Sequence, residues 1–183
     1  MVDFQFHSFA TSSNSLVAGK LLTVASVGIF AGTALSFSSI IIPSFRKFSS
    51  ASSLAIWHES IKSAQILQTA SNAVGVIGGI GLYYETENPF YLYSAITLAT
   101  VVPLSLFLNY RVNKKLIEIR QDNTVDGKAD SMRDNKFNDA EIEMLLRRWN
   151  LLNIGRTVLG YGALLAALYG VASDSGVRFI FSA

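Results

Sequence analysis

Apolar positions fall in four long blocks separated by polar connections, not in short alternating runs. Blocks of that length predict helices that cross a membrane, which needs about 20 apolar residues per span. Residues 21–42 carry no charge, and Pro43 is expected to end this first span. Residues 63–84 are also uncharged, polar in their first half and rich in glycine in their second. A third span is expected over 90–110, with a kink at Pro103, and a fourth over 151–173, which carries Arg156. The first apolar block exceeds the ~7–15 residues of a signal-peptide core, so it is expected to remain as a span. The segment before it, through Ser15, has no arginine and reads as a short, loosely ordered tail.

The connection after the third block divides in two. Residues 122–137 are polar, of mixed charge, and expected to form a flexible loop. Asn138 with Glu141 then makes a helix-start signature, and Ile142, Leu145, Leu146 and Trp149 follow at helical spacing. An interfacial helix is therefore expected to feed the fourth span, supported by Glu143 and Arg147 four residues apart. The architecture that follows is all-α: a single membrane domain over 1–183, built as a four-helix transmembrane bundle with an interfacial helix before the fourth span. Because lipid is as apolar as leucine, close packing should rely on small residues. Gly28 with Gly32, Gly75 with Gly79, and Gly162 with Ala166 supply the pattern.

Composition agrees. Half of the 183 residues are hydrophobic and 15% are charged, against roughly a quarter in soluble domains. With no cysteine, disulfide scaffolds, thiolate nucleophiles and iron–sulfur clusters are excluded. A net charge of +2 is too small to imply nucleic-acid binding, but its distribution orients the bundle. Arg46, Lys47 and Lys62 flank the first connection, and Arg111, Lys114, Lys115, Arg120, Lys128, Arg133, Lys136, Arg147 and Arg148 lie around the third. The second holds Glu85 and Glu87 and no base. The positive-inside rule then puts the first and third connections in the cytoplasm and both termini on the lumenal side.

Polar residues inside spans are expensive, and convergence among them marks a candidate site. On the second helix His58, Lys62, Gln65, Thr69 and Asn72 form one stripe at i, i+3/i+4 spacing. On the fourth, Asn150, Asn153 and Thr157 share a face beside Arg156. Trp57 and Trp149 flank both sets, giving a half-polar pocket suited to a flat, partly polar ligand that partitions into membranes. The same amides also suit interhelical hydrogen bonding, and the tryptophans suit interface anchoring. Two histidines far apart, His7 and His58, offer no metal site. Gly75 to Gly81 is not read as a phosphate loop, because no strand precedes it. Asp122 to Asp130 is not a calcium loop, because Arg133 stands where a bidentate Glu is needed.

The text Trp149-Asn150-Leu151-Leu152-Asn153-Ile154-Gly155-Arg156 resembles the W-N-x-L-N-x-x-R signature of a family of small four-helix membrane proteins that includes the anthrone oxygenases. Gly32, Phe37, Ser38 and Pro43 resemble the same family in the first span. The resemblance implies oxidation of an anthrone-type aromatic polyketide to an anthraquinone by O2, without a cofactor and without metal, in endoplasmic reticulum or another endomembrane. Under that implication His58 is the expected base, with Asn153 and Arg156 stabilising an oxyanion. Trp57, Trp149, Asn150, Gln65 and Asn72 are expected to bind the substrate. The alternative is a non-catalytic membrane scaffold or complex subunit in which the polar stripe is glue between helices. The sequence leaves the oligomeric state open.

Overall fold

The computed structural model describes residues 3–105, 107, 110–125 and 139–175. Among them every regular element is helical: α1 (Asp3–Ser36), α2 (Ser50–Thr86), α3 (Pro89–Leu104), α4 (Tyr110–Val125) and α5 (Asp139–Asp174). Three long stretches, Asn14–Ser44, Ser50–Thr86 and Asp139–Asp174, are long and apolar enough to cross a membrane, and Pro89–Leu104 is a shorter apolar helix. In the bundle α1 packs against α2 and α5, and α3 packs against the same two from the other side. The short helix α4 lies against α2 and α5.

Several boundaries differ from expectation. The segment through Ser15 is helical from Asp3 onward, since no glycine or proline interrupts the chain before Gly19. Pro43 does not end the first helix. The backbone widens into a π-helical turn over Phe37–Ile41, passes through Ile42–Ser44 and closes as a 3-10 turn at Phe45–Lys47. A proline cannot donate to the carbonyl four residues earlier, and a π turn just before it relieves the clash. Pro103 has a related effect: α3 stops at Leu104, and Ser105 and Phe107 take π-helical form.

The expected interfacial helix and fourth span are one continuous helix, α5. Its Arg147–Glu143 pair forms as expected, at 2.6 Å. The flexible loop expected at 122–137 begins later, because residues 122–125 complete α4, while 126–138, including the Asn138 cap, lie outside the described residues. At the other end of the bundle α2 closes on Glu87 in the left-handed conformation, φ 56°, whose N–H reaches the Tyr83 carbonyl. Asn88 then caps α3 by accepting from the Phe90 N–H at 3.1 Å, with Pro89 in the first turn.

Two glycines make the expected close approach. A Cβ on Gly79 would sit 3.0 Å from both the Ala95 Cβ and the Tyr91 carbonyl oxygen of α3, and one on Gly75 would sit 2.7 Å from the Leu98 side chain. The other expected pairs do not pack this way: Gly32 and Gly162 face open space. Gly160 is the α5 glycine that approaches α1 closely, at Phe30 and Ala31. Gly79→Val is therefore expected to destabilise the bundle by about 1–3 kcal/mol through overpacking, while Gly32→Ala leaves the unfolding midpoint unchanged or raises it. Thermal unfolding in one detergent checks both.

Unequal clusters close the two ends. At the α4 end Trp57 and Trp149 stack edge to face at 6.0 Å, Phe37 meets Trp149 at 5.4 Å, and Phe45, Leu54, Val112, Leu116, Ile119, Ile142, Leu145 and Leu146 complete an apolar core. At the opposite end a polar clasp forms on Asp174, one residue past the fourth apolar block. Lys20 pairs with it at 2.6 Å, the Tyr91 hydroxyl donates to it at 2.9 Å, and the Asn88 amide donates at 2.6 Å.

Burial alone would raise the Asp174 carboxyl, but the hydrogen bonds from Lys20, Asn88 and Tyr91 hold it below its ordinary 3.8. A depressed carboxylate contributes stability that is complete above the unfolded value and lost as pH falls through the folded one. The stability gap between wild type and Asp174→Asn should therefore be full at neutral pH and should close only below the ordinary 3.8. A gap independent of pH would show that the ionised clasp is not the source.

Candidate functional site

A cleft of ≈ 590 Å³ opens beside α2, α3 and α4, within the ~300–1,000 Å³ usual for small-molecule sites. Phe30, Gln68, Asn72 and Val101 are buried along its floor, and Gln65, Thr69 and Tyr110 form an exposed rim. The α4 wall supplies Asn113, Lys114, Ile117, Glu118 and Gln121, and α5 contributes Arg156. Gln65 and Thr69 belong to the uncharged part of α2, and the opening also borders the charged residues of α4.

Helical periodicity places the floor. Gln65, Gln68 and Asn72 are three and four residues apart and stack along one face of α2. Asn72 donates to the Leu98 carbonyl of α3 at 3.0 Å, which fixes its amide while the side chain still lines the cleft. Arg156 reaches across from α5, and its guanidinium donates to the Gln68 Oε1 at 2.6 Å and lies 6.0 Å from the centre of the Phe30 ring. Its Nε is buried and without a partner. Among the described residues no carboxylate pairs with this cation. Glu118 is the one carboxylate in the lining, and it is exposed at the rim, 3.8 Å from Lys114. Two more buried polar atoms in the lining have no partner, the Ser105 Oγ and the Asn113 Oδ1.

The structure brings Gln65, Asn72 and Arg156 together and leaves five other expected residues elsewhere. Asn153 is turned to α1, donating to the Ala34 carbonyl and the Ser38 hydroxyl, both at 2.8 Å. Trp57 and Trp149 are buried in the apolar core at the α4 end and do not line the cleft. Asn150 lines a separate groove of ≈ 400 Å³ with Phe45, Phe48 and Arg147. His58 packs beside Trp57, with ring centres 6.4 Å apart, and is not in the cleft lining.

Serines near the helix ends divide the same way. Ser36 and Ser39 bond their own helix four residues back, at 2.9 and 2.8 Å, whereas Ser105 faces the cleft.

Sequence reasoning missed Gln68, Asn113 and Tyr110. Gln68 was legible, because it continues the Gln65 to Asn72 stripe. The α4 residues were hidden by the reading of their segment as a charged connection, although Val112, Leu116 and Ile119 carry the apolar spacing of a docked helix. Among the described residues no group of three His, Asp or Glu side chains converges as a metal-ligand set. The arrangement offers one cation held by a neutral amide, several neutral hydrogen-bonding groups, and apolar walls.

The family model for anthrone oxygenase matches residues 5–166, nearly the whole chain. No curated protein and no solved structure matches it.

Proposed function

Because the chain belongs to the anthrone oxygenase family, we propose that it is a membrane-embedded oxygenase that oxidises an anthrone-type aromatic polyketide to an anthraquinone with O2, independently of a cofactor. One observation carries the reading: the Arg156 guanidinium, with no carboxylate partner, lines a cleft of ≈ 590 Å³ within the matched segment. A cation in a membrane-spanning helix is expensive and marks a site when it faces a cavity.

Loss of a proton from the anthrone methylene places negative charge on the ring carbonyl oxygen, where Arg156 can hold it. The resulting electron-rich anion gives an electron to O2. The ring radical and superoxide combine at the methylene carbon to form a C–O bond and a peroxide. Loss of the remaining C–H proton to the outer oxygen, with cleavage of the O–O bond, leaves one oxygen as the new carbonyl and expels the other as hydroxide, which is protonated to water. Phe30, Val101, Val102 and Ile117 form the apolar walls around the rings. The first proton passes to water at the open rim.

The base role expected of His58 is not carried into this scheme, because its side chain does not line the cleft. The oxyanion role expected of Asn153 is also withdrawn, since its amide donors are spent on α1. Location in the endoplasmic reticulum, with both termini lumenal, is part of the proposal. Its support is the concentration of basic residues around the first and third connections.

Purified protein in detergent, given a hydroxylated anthrone, should form quinone and consume one O2 per quinone, faster than the anthrone oxidises in empty micelles. No acceleration over the empty micelles would sink the enzyme reading. The scaffold alternative draws support from Asn72 and Asn153, whose amides bond carbonyls of neighbouring helices. It predicts thermal stabilisation by a protein partner and none by hydroxylated tricyclic compounds.

A further inference from the structure

A buried guanidinium normally stands against a carboxylate, because an unpaired charge out of water is costly. Here Gln68, 6% exposed, occupies that place and accepts from Arg156 at 2.6 Å. A glutamate of the same shape would accept the same hydrogen bond and cancel the charge. The amide holds the guanidinium equally well and cancels nothing. The rest of the floor is neutral too: Asn72 is committed to the Leu98 carbonyl, and the free polar atoms are the Ser105 hydroxyl and the Asn113 Oδ1. The carboxylate at the rim, Glu118, is exposed and beside Lys114.

We propose that Gln68 is the positioning residue that sets the charge state of the ligand: by orienting Arg156 without neutralising it, it makes the cleft select a planar aromatic oxyanion, a phenolate or enolate, over the neutral phenol. The terminal N–H groups of Arg156 not used by Gln68 are the donors for this oxyanion. The ligand is thus a hydroxylated aromatic bound in its deprotonated form. The inference rests on the cleft being the ligand site of the proposed oxygenase, and it supplies the step that reading needs: acidification of the substrate by a fixed cation, with no dedicated base.

The test uses 2-hydroxyanthraquinone, a tricyclic phenol already at the quinone level, whose absorption spectrum separates neutral from ionised forms. Full-length protein in neutral detergent is titrated with pH in the presence of the probe and compared with empty micelles. Wild type should lower the ionisation midpoint of the bound probe by about 1–3 pH units, the range expected for an adjacent opposite charge. Gln68→Glu, which keeps the hydrogen bond and the packing, should abolish the shift while leaving thermal stability equal to or above wild type. Arg156→Leu should abolish it as well.

A merely structural Gln68 would tolerate glutamate, so retention of the full shift in Gln68→Glu overturns the proposal. Binding of the probe to wild type with no shift also overturns it while leaving the cleft as a ligand site. No binding to wild type at all overturns both the inference and the cleft reading beneath it.

Discussion

Arg156→Gln is expected to lower kcat/KM for anthrone oxidation by about 10²–10³-fold, the usual loss when one oxyanion donor is removed from a preorganised site. The substitution keeps much of the side-chain volume and the ability to meet Gln68, but it removes the charge that must balance the deprotonated ring. Arg156→Lys should fall between the two, since a point charge survives while the planar fork does not. His58→Ala, by contrast, should stay close to wild type, because the imidazole lies beside Trp57 and outside the cleft lining. Steady-state O2 consumption across the three variants separates these roles. Equal losses in Arg156→Gln and His58→Ala would return His58 to the mechanism and remove the geometric basis for excluding it.

The largest loss of stability is expected from Trp149→Ala, about 3–5 kcal/mol for an aromatic side chain removed from a packed core. Trp149 is 1% exposed and touches both Phe37 and Trp57 edge to face, so it joins α5 to the end of the first helix and to the start of α2. Val112, Leu116 and Ile119 dock α4 on the same cluster. Its loss should therefore also loosen the α4 wall of the cleft and lower oxygenase activity indirectly. Trp149→Phe should recover most of the stability, since the indole N–H has no hydrogen-bond partner to lose. Thermal unfolding of both variants checks the order. Comparable midpoints for alanine and phenylalanine would show that ring packing does not hold this end together.

The candidate site was half visible before folding. Gln65, Asn72 and Arg156 were found because polar residues within apolar blocks stand out against their neighbours, and because i, i+3/i+4 spacing puts Gln65 and Asn72 on one face. The structure parts from the expected grouping where a residue type is equally suited to a site and to packing. Tryptophan reads as a stacking wall or as core, and Trp57 and Trp149 became core. Asparagine reads as an oxyanion donor or as a bridge between helices, and Asn153 became a bridge to Ala34 and Ser38.

Asn153 and Arg156 show why the W-N-x-L-N-x-x-R signature did not settle this. Three residues along a helix are about 60° apart in projection, enough for one side chain to turn to α1 and the other to the cleft. Gln68 carries the opposite lesson. Its position was available from the stripe, but its importance appears only when a specific cation is seen to lack a carboxylate and to lean on it.

The lengths of the apolar blocks by themselves determined a helical chain with membrane-length apolar segments, because transfer from water to hydrocarbon is nearly a sum over residues and needs no knowledge of contacts. Tertiary structure alone decided that the first helix passes through Pro43, that α4 folds back as a wall, and which polar side chains share a cleft. Those outcomes depend on the rotation of each helix about its axis and on the shape of its neighbours. A rotation of a few tens of degrees leaves hydropathy unchanged and moves a side chain from a cavity to a helix interface.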